Sequence, residues 1–301
     1  MCLISVCFND EGMLPAYVES LERLRYPSLR HVIVDNNSRD GSVAFFRRTR
    51  PEAVLIESKT NLATTGGYNL AFRRAMEFEP RYVLISAIDV VLEPDFLVHQ
   101  VGVMERDPQI GILGPVVYLE GTGVIQSFGF ALDPRTQFTH SVYGGLAEAV
   151  HLPPLVEADY VDGGTALVRA HVMAELGGFD ERLCIYGEDA DLCLRAKRLG
   201  YKVMANAQAK AYHRYYERRA DGPPLHQVFY SARNRVYLAE KLYGTRAKWS
   251  TLRYWLFPPV SRFGGAGRAV KRFGTPRRVA AHFLGLAYGT LGLMGKRLFL
   301  Q

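Results

Sequence analysis

Several features that would mark a secreted, redox or phosphate-hydrolysing protein are missing from this 301-residue chain. Met1-Cys2-Leu3-Ile4-Ser5-Val6 has no basic stretch, long apolar run or small-residue cleavage site, so it reads as a first β-strand and not as a signal peptide. Only four cysteines occur (Cys2, Cys7, Cys184, Cys193), none in Cys-x-x-Cys spacing, which points to reduced, partly buried thiols in the cytosol. There is no Gly-x-Gly-x-x-Gly and no Gly-Lys-Ser/Thr, which argues against a dinucleotide enzyme or an NTPase. Repeats and low-complexity linkers are also absent. Acid is missing from one end: Gly244 to Gln301 holds eleven Arg or Lys and no Asp or Glu, so the other 243 residues carry a net −4 of the chain's +7. A mildly acidic body with a basic tail calls for an anionic partner, either lipid headgroups or nucleic acid.

What is present is apolar enough to fold. Hydrophobic residues make up 48% and charged residues 22%, sufficient for one large α/β domain plus an extension. Apolar, β-prone runs at residues 3–8, 31–34, 53–56 and 82–86 alternate with helical spacing near residues 13–24, 44–50 and 69–78. That alternation predicts a parallel sheet with helices on both faces. Gly, Pro and aromatic residues between 111 and 154 predict loops and antiparallel strands, followed by a strand over 160–169 and helices over 188–199 and 225–243. In doubly wound sheets ligands bind beyond the carboxyl ends of the strands. Here those ends are polar: Asn9-Asp10, Asp35-Asn36-Asn37-Ser38, Lys59-Thr60-Asn61 and Asp89.

Seven ordered motifs then carry a resemblance. They are Val6 to Asn9; Val34 to Ser42; Asn61-Leu62-Ala63-Thr64-Thr65-Gly66-Gly67-Tyr68-Asn69; Ile88-Asp89-Val90 with Glu93-Pro94-Asp95; Gly177 to Glu181; Tyr186 to Arg195; and Ser231-Ala232-Arg233-Asn234-Arg235. Over roughly residues 1–243 the chain resembles the inverting family 2 glycosyltransferases of GT-A fold, most of all the bacterial rhamnosyltransferase-like branch. The resemblance implies an α/β, Rossmann-like GT-A domain over 1–243, with a helical, basic, aromatic-rich extension over 244–301 for membrane association or oligomerisation.

The chemistry can be read beside that resemblance. A pyrimidine offers an imide N–H, so a carboxylate next to an aromatic face suits it. Asp35 and Asp40 fit base and ribose contacts, and Phe8 stands where the family often has a stacking tyrosine. The resemblance adds Asn9, Asn37, Asn61 and Asn69 to the donor pocket. Gly66 and Gly67, ahead of a helix, suit close approach to phosphate. Asp89 is the candidate ligand for Mg²⁺ or Mn²⁺, which would neutralise the diphosphate. The family pattern has an acidic or Asn-x-Asp motif there, whereas this chain has Ala87-Ile88-Asp89, leaving one carboxylate. By resemblance His213 completes the metal site and Asp189 is the general base, with Glu188 raising the pair's proton affinity. Glu188, Asp189 and Asp191 also read as first-turn acids favoured by the helix dipole. Asp162 and Gly163 are placed at the acceptor or sugar, and Arg233 at the diphosphate. The acids at 35, 89 and 189 are expected to share one cleft.

Residues 279–295 form a 17-residue uncharged run flanked by Arg277-Arg278 and Lys296-Arg297, with Trp249, Tyr254, Trp255 and Phe257 interleaved among basic residues upstream. Four glycines and a histidine in the run weigh against a spanning helix and favour one lying in the interface, on an anionic membrane surface. A dimer interface or a helix packed on the body would use the same residues. The expectation is a cytoplasmic enzyme, peripheral on the inner face of the cell membrane. It would move a sugar, with dTDP-L-rhamnose the implied donor, to a lipid-linked or surface polysaccharide. A non-catalytic sugar-nucleotide or glycan-binding protein of the same fold is the rival reading, with Ala87 its one supporting feature. Nucleic-acid binding through the tail has no accompanying motif.

Overall fold

The computed structural model describes residues 1–134, 136–141, 143–214, 222–257 and 275–295. The basic residues between 258 and 274, and Lys296-Arg297, lie outside them. The described chain divides into two units. The first holds Met1–Ala131, His140–Phe179 and Leu192–Tyr215; the second holds Leu132–Thr139, Asp180–Asp191 and Tyr216–Gln301.

The first unit begins as the alternation predicts. β1 (Cys2–Cys7), β2 (Arg30–Asp35), β3 (Val54–Glu57) and β4 (Tyr82–Ile85) alternate with α1 (Leu14–Glu22), α2 (Ser42–Thr49) and α3 (Ala63–Met76). β1, β2 and β4 are buried almost throughout, because helices cover a parallel sheet on both faces. Leu14, Tyr17, Val18 and Leu21 form the inward stripe of α1. Next come β5 (Val90–Leu92), α4 (Phe96–Arg106), β6 (Ile110–Leu119), β7 (Val124–Ser127), β10 (Leu155–Glu157), β11 (Leu167–Arg169), α5 (Ala170–Glu175) and β12 (Lys202–His213). A ribbon of β8 (Phe130–Asp133) and β9 (Phe138–Ser141) stands apart from this sheet. The main strand order is β10-β12-β6-β11-β4-β1-β2-β3, with β5 on β12 and β7 on β6. β11 is antiparallel to both its neighbours, while β6 and β12 run parallel to each other. This mostly parallel α/β sheet is the GT-A class expected.

Three sequence expectations change. The helix expected near 69–78 starts at Ala63, so Gly66 and Gly67 lie inside it and not in a loop before it. The reason is packing: a Cβ on Gly67 would sit 2.8 Å from a Val6 methyl and 3.1 Å from the Asn36 amide nitrogen. The strand expected over 160–169 shrinks to Leu167–Arg169, with Asp162 to Thr165 forming a turn. In the stretch expected to hold loops and antiparallel strands, β6 runs ten residues, antiparallel to β7 and β11 but parallel to β12. Its Gly111, Gly114 and Pro115 look like loop residues, yet a Cβ on Gly114 would meet Val161 at 2.5 Å, so that glycine admits a neighbour at close range.

The second unit is mainly helical: α7 (Leu225–Tyr243), α8 (Thr245–Leu256) and α9 (Pro276–Thr290). Ala232, Val236, Trp255 and Leu286 form its apolar centre. α9 packs on α7 through small residues. A Cβ on Gly285 would come within 2.3 Å of the Phe229 carbonyl oxygen, and one on Gly289 within 2.4 Å of that of Arg233. The glycines that weighed against a membrane span therefore serve a helix–helix contact. The same unit carries a short 3₁₀ turn (Glu181–Leu183) and the start of α6 (Glu188–Arg198).

Candidate active site

In the first unit, β1 and β2 stop in register, and the parallel β4 stops three residues earlier at the same end. Cys7 pairs with Asp35 and Ile4 with Ile85, so the residues that follow emerge at one sheet edge. Two of the emerging loops are laced together. Asn9, at φ +57, donates its N–H to Ser38 Oγ and accepts from Arg39 N through Oδ1. Asp40 accepts from Glu11 N (3.0 Å) and Ser42 N (3.1 Å), and the Glu11 carboxylate accepts from Gly41 N. Burial opposes the Asp40 charge, but these donors outweigh it and hold the carboxyl below its usual range. Asp40 thus clamps the two loops together. Asn37 sits at φ +68 in the same turn.

Asp35 differs. Only 3% exposed, it accepts from Ser38 N through Oδ2, while Oδ1 is buried with no partner among the described residues. A buried carboxylate oxygen left unmatched costs free energy unless a ligand donor meets it. Phe8, half-buried, precedes it on the neighbouring loop. Asn36 spans the gap to α3, accepting from Leu62 N and donating to Ala63 O, and Asn61 accepts from Ala63 N.

Asn69 is a correction. It is buried, donates to Phe179 O (2.9 Å) and accepts from Phe179 N (2.8 Å). It ties down Gly177-Gly178-Phe179, 110 residues away, and has no place in a donor pocket. Gly178, at φ +77, is needed there because a Cβ would meet Asn69 Oδ1 at 2.5 Å.

Beyond β4, Asp89 and His213 meet across 124 residues, His213 Nε2 lying 3.0 Å from Asp89 Oδ2. β12 carries His213 opposite Val90. His213 Nδ1 is 2.8 Å from the Gln126 amide oxygen, so that side donates a proton and Nε2 faces the acid. Burial works against an imidazolium, but Asp89 and then Asp162 outweigh it and raise the His213 pKa. Asp162 accepts from Gly164 N in a turn that runs beside Ala87, with Gly163 between them. Burial, and to a lesser degree Asp89, pushes its carboxyl up, although His213 opposes the shift. Asp10 belongs to the same group. Burial foremost, then the charges of Asp89 and Asp40, push it up to about 6 despite the Phe8 N–H it accepts. Sequence reading noted Asp10 only as a strand-end polar residue. The signal was its place directly after β1.

The donor set suits a hard divalent cation, since one carboxylate and one imidazole converge. Among the described residues, no group of three or more His, Cys, Asp or Glu side chains could hold an ion. An ion at Asp89 and His213 would therefore draw its other ligands from diphosphate oxygens and water.

In the second unit, Glu188 and Asp189 open α6, with Asp191 on the same first turn. The backbone before them is strained: Cys184, Tyr186 and Gly187 have φ of +64, +69 and +87. α7 holds that segment. Asn234 Nδ2 donates to the carbonyls of Leu183, Ile185 and Tyr186 at 3.0, 2.9 and 2.7 Å. Arg233, 0% exposed, donates through Nη2 to Arg182 O and Leu183 O, and its guanidinium lies 4.6 Å over the Tyr230 ring. Arg233 thus anchors the loop through Nη2, while its Nη1 is buried with no partner among the described residues. Its burial and its carbonyl acceptors are what the sequence did not reveal. Lys241 bonds both Asp180 (2.7 Å) and the fully buried Asp191 (2.5 Å).

Comparison with known proteins agrees with this geometry. The model of "Glycosyltransferase like family 2" matches residues 2–221. O-antigen biosynthesis protein RfbC of Myxococcus xanthus is 29% identical over 233 residues, 73% of this chain but only 18% of that protein. N-acetylglucosaminyl-diphospho-decaprenol L-rhamnosyltransferase of Mycobacterium tuberculosis is 22% identical over 257 residues, covering 79% of this chain and 84% of its own length. Among solved structures, mannosyltransferase PcManGT of Pyrobaculum calidifontis, in complex with GDP-Man and Mn2+, aligns with TM-score 0.59 at 15% identity, covering 97% of this chain and 87% of that one. TarS of S. aureus aligns with TM-score 0.55 at 16% identity, covering 96% and 86%. At these identities the structures speak for the fold alone. With a family model covering most of its length, the chain belongs to the glycosyltransferase like family 2.

Proposed function

We propose that the chain is an inverting glycosyltransferase that moves a sugar from a nucleoside-diphosphate donor to a lipid-linked saccharide or polysaccharide. The observation that carries this is the sheet edge where Asp35 keeps a buried, unmatched carboxylate oxygen and Asp89 meets His213. Asp35 accepts the base N–H. Asp89 and His213 hold Mg²⁺ or Mn²⁺, which, when bound, offsets charge on the leaving diphosphate. Asp189 takes the acceptor hydroxyl proton as that oxygen bonds to the anomeric carbon and the bond from that carbon to the diphosphate oxygen breaks. Proton removal by a positioned carboxylate matters most as an oxocarbenium-like centre develops. The mycobacterial relative's name makes dTDP-L-rhamnose the first donor to try.

A thermal-shift panel of nucleotide sugars with and without Mn²⁺ tests the donor and the ion together. One donor should stabilise the protein selectively, by about 2.7 kcal/mol at 100 times its Kd. His213→Ala should remove the Mn²⁺ dependence and Asp35→Asn the base preference. A flat panel would sink the reading. Without the ion, the Asp89 contact calls for a proton on His213 Nε2, and cation and proton compete there, so Mn²⁺ affinity should rise with pH.

We also infer a peripheral place at an anionic membrane. Trp249 (56% exposed), Phe257 (76%) and Leu291 (71%) stand out on the second unit, as do Phe283 and Leu284 on the face of α9 opposite Gly285 and Gly289. No helix among the described residues is long and apolar enough to cross a membrane, which supports a surface-lying mode over a spanning one. Burying one such side chain contributes about 1.5–3 kcal/mol, so Trp249→Ser with Phe283→Ser should weaken binding to anionic vesicles more than tenfold. Co-sedimentation at low and high salt measures it. Wild type that ignores anionic vesicles at low salt would end the idea.

A further inference from the structure

A second cavity lies in the first unit, away from the sheet edge described above. Its volume is about 330 Å³, within the range of small-molecule sites. Phe128, Phe130 and Tyr143 supply aromatic surface; Glu157, Asp159 and Lys197 supply the polar rim. The rings are held by partners: Phe130 stacks on Tyr160 with centroids 4.6 Å apart and planes at 5°, and Tyr143 leans on Phe128 at 5.4 Å. Gly129, at φ +70 between the two phenylalanines, lets Ala158 pack against it, since a Cβ there would lie 3.0 Å from that of Ala158. Lys197 Nζ is fixed by Ala158 O (2.9 Å) and Asp159 Oδ1 (3.2 Å), with Glu157 Oε1 at 3.5 Å.

The chemistry of this lining selects its ligand. Two carboxylates against one ammonium leave the rim net negative, which disfavours phosphates, sulfates and acidic sugars. Carboxylate oxygens accept from the hydroxyls of a sugar. Fixed aromatic faces suit the apolar C–H face of a pyranose. Rigid rings also reduce the ordering cost of binding.

Position separates the cavity from the reacting centre. Glu157 pairs with Met204 on β12, and His213 lies nine residues further along that strand. β12 is irregular between Asn206 and Lys210, and beside it β6 advances only from Leu113 to Leu119, so at about 3.3 Å per residue the Glu157 rim and His213 are on the order of 20 Å apart. We propose that this cavity is a saccharide-binding site that holds a neutral sugar unit of the acceptor or product chain, further along that chain than the unit that reacts. The proposal rests on the saccharide-acceptor reading given above. Such a hold raises the effective concentration of a long acceptor without touching the chemistry.

Saturation-transfer NMR on the full chain tests it, with L-rhamnose, D-glucose, D-galactose and N-acetylglucosamine, and disaccharides of each, as probes. At least one neutral probe should bind, and an excess of nucleoside diphosphate should not displace it. Phe130→Ala should weaken that binding at least tenfold. Glu157→Gln, at an exposed position that leaves folding intact, should weaken it severalfold. No probe binding, displacement by the nucleotide, or full binding in Phe130→Ala, Tyr143→Ala and Glu157→Gln would each overturn the site. If Phe130→Ala does not fold, the other two variants decide. Donor hydrolysis measured alongside separates the two readings. Hydrolysis without saccharide binding overturns the cavity alone, and binding without hydrolysis or transfer overturns the transferase reading.

Discussion

Asp189→Asn should lower the transfer rate by about 10²–10⁴-fold, the usual worth of a positioned general base. The fold should survive. Asp189 Oδ1 accepts the Ala190 N–H at 2.7 Å, a bond an amide oxygen also makes. Donor affinity by thermal shift should hold, because base, ribose and diphosphate contacts are assigned to other residues. The split matters: a fall in kcat with donor binding retained identifies the base, whereas loss of both indicates a damaged fold. More than a tenth of wild-type turnover in Asp189→Asn would remove it from the mechanism, whereas no turnover in wild type would favour a binding-only protein of this fold. The strained segment before α6 gives the assignment physical support. Positive φ at Cys184 and Tyr186 persists because Arg233 and Asn234 hold the surrounding carbonyls, and such strain gathers where a side chain must be aimed.

Lys241→Met should cost about 3 kcal/mol of stability and lower Tm by several degrees. Lys241 is the cation shared by Asp180 and Asp191, and the Asp191 side chain is 0% exposed. Removing the amine takes away the ammonium 2.5 Å from a carboxylate that is fully buried. Asp180 suffers less, since Arg182 and the Tyr237 hydroxyl also bond it. Burial opposes the Asp180 charge, but Arg182, Lys241 and Tyr237 outweigh it and hold its carboxyl far below the usual range. The sign follows. A depressed folded-state pKa contributes stability that is present above the unfolded value of about 3.9 and lost as pH falls through the folded one. Wild type should therefore keep this contribution until strongly acid pH, and Lys241→Met should lose part of it at every pH above about 4. The double variant Lys241→Met/Asp191→Leu should recover most of the loss, because it removes the stranded charge with its partner. Scanning calorimetry of wild type and both variants measures this. A Lys241→Met transition unchanged from wild type would show that water reaches Asp191.

Much of the architecture was legible along the chain. Buried runs such as His31-Val32-Ile33-Val34, separated by helical spacing, admit few arrangements other than a parallel sheet with helices on its faces. Polar residues straight after three such runs marked the ligand edge, and Asp10 stood among them with its part unread. Legibility ended where a residue type serves two purposes. Gly66-Gly67 suits a phosphate loop or a tight helix–strand contact, and only the nearness of Val6 decides for the second. Gly285 and Gly289 suit a weakened membrane span or a helix seam, and the carbonyls of α7 decide for the seam.

The family came from the resemblance of seven motifs, and the order of apolar and polar residues by itself determined the first four strands and the helices between them. Those depend on local period and on burial, which a linear pattern records. Tertiary structure alone decided which polar groups stay available for chemistry. Asn69 commits both amide atoms to backbone groups, while Asp35 and Arg233 each keep one buried polar atom open and Asp89 finds His213 across 124 residues. The physical reason is saturation: a side chain committed to one partner is lost to another, and most of these partners come from distant parts of the chain.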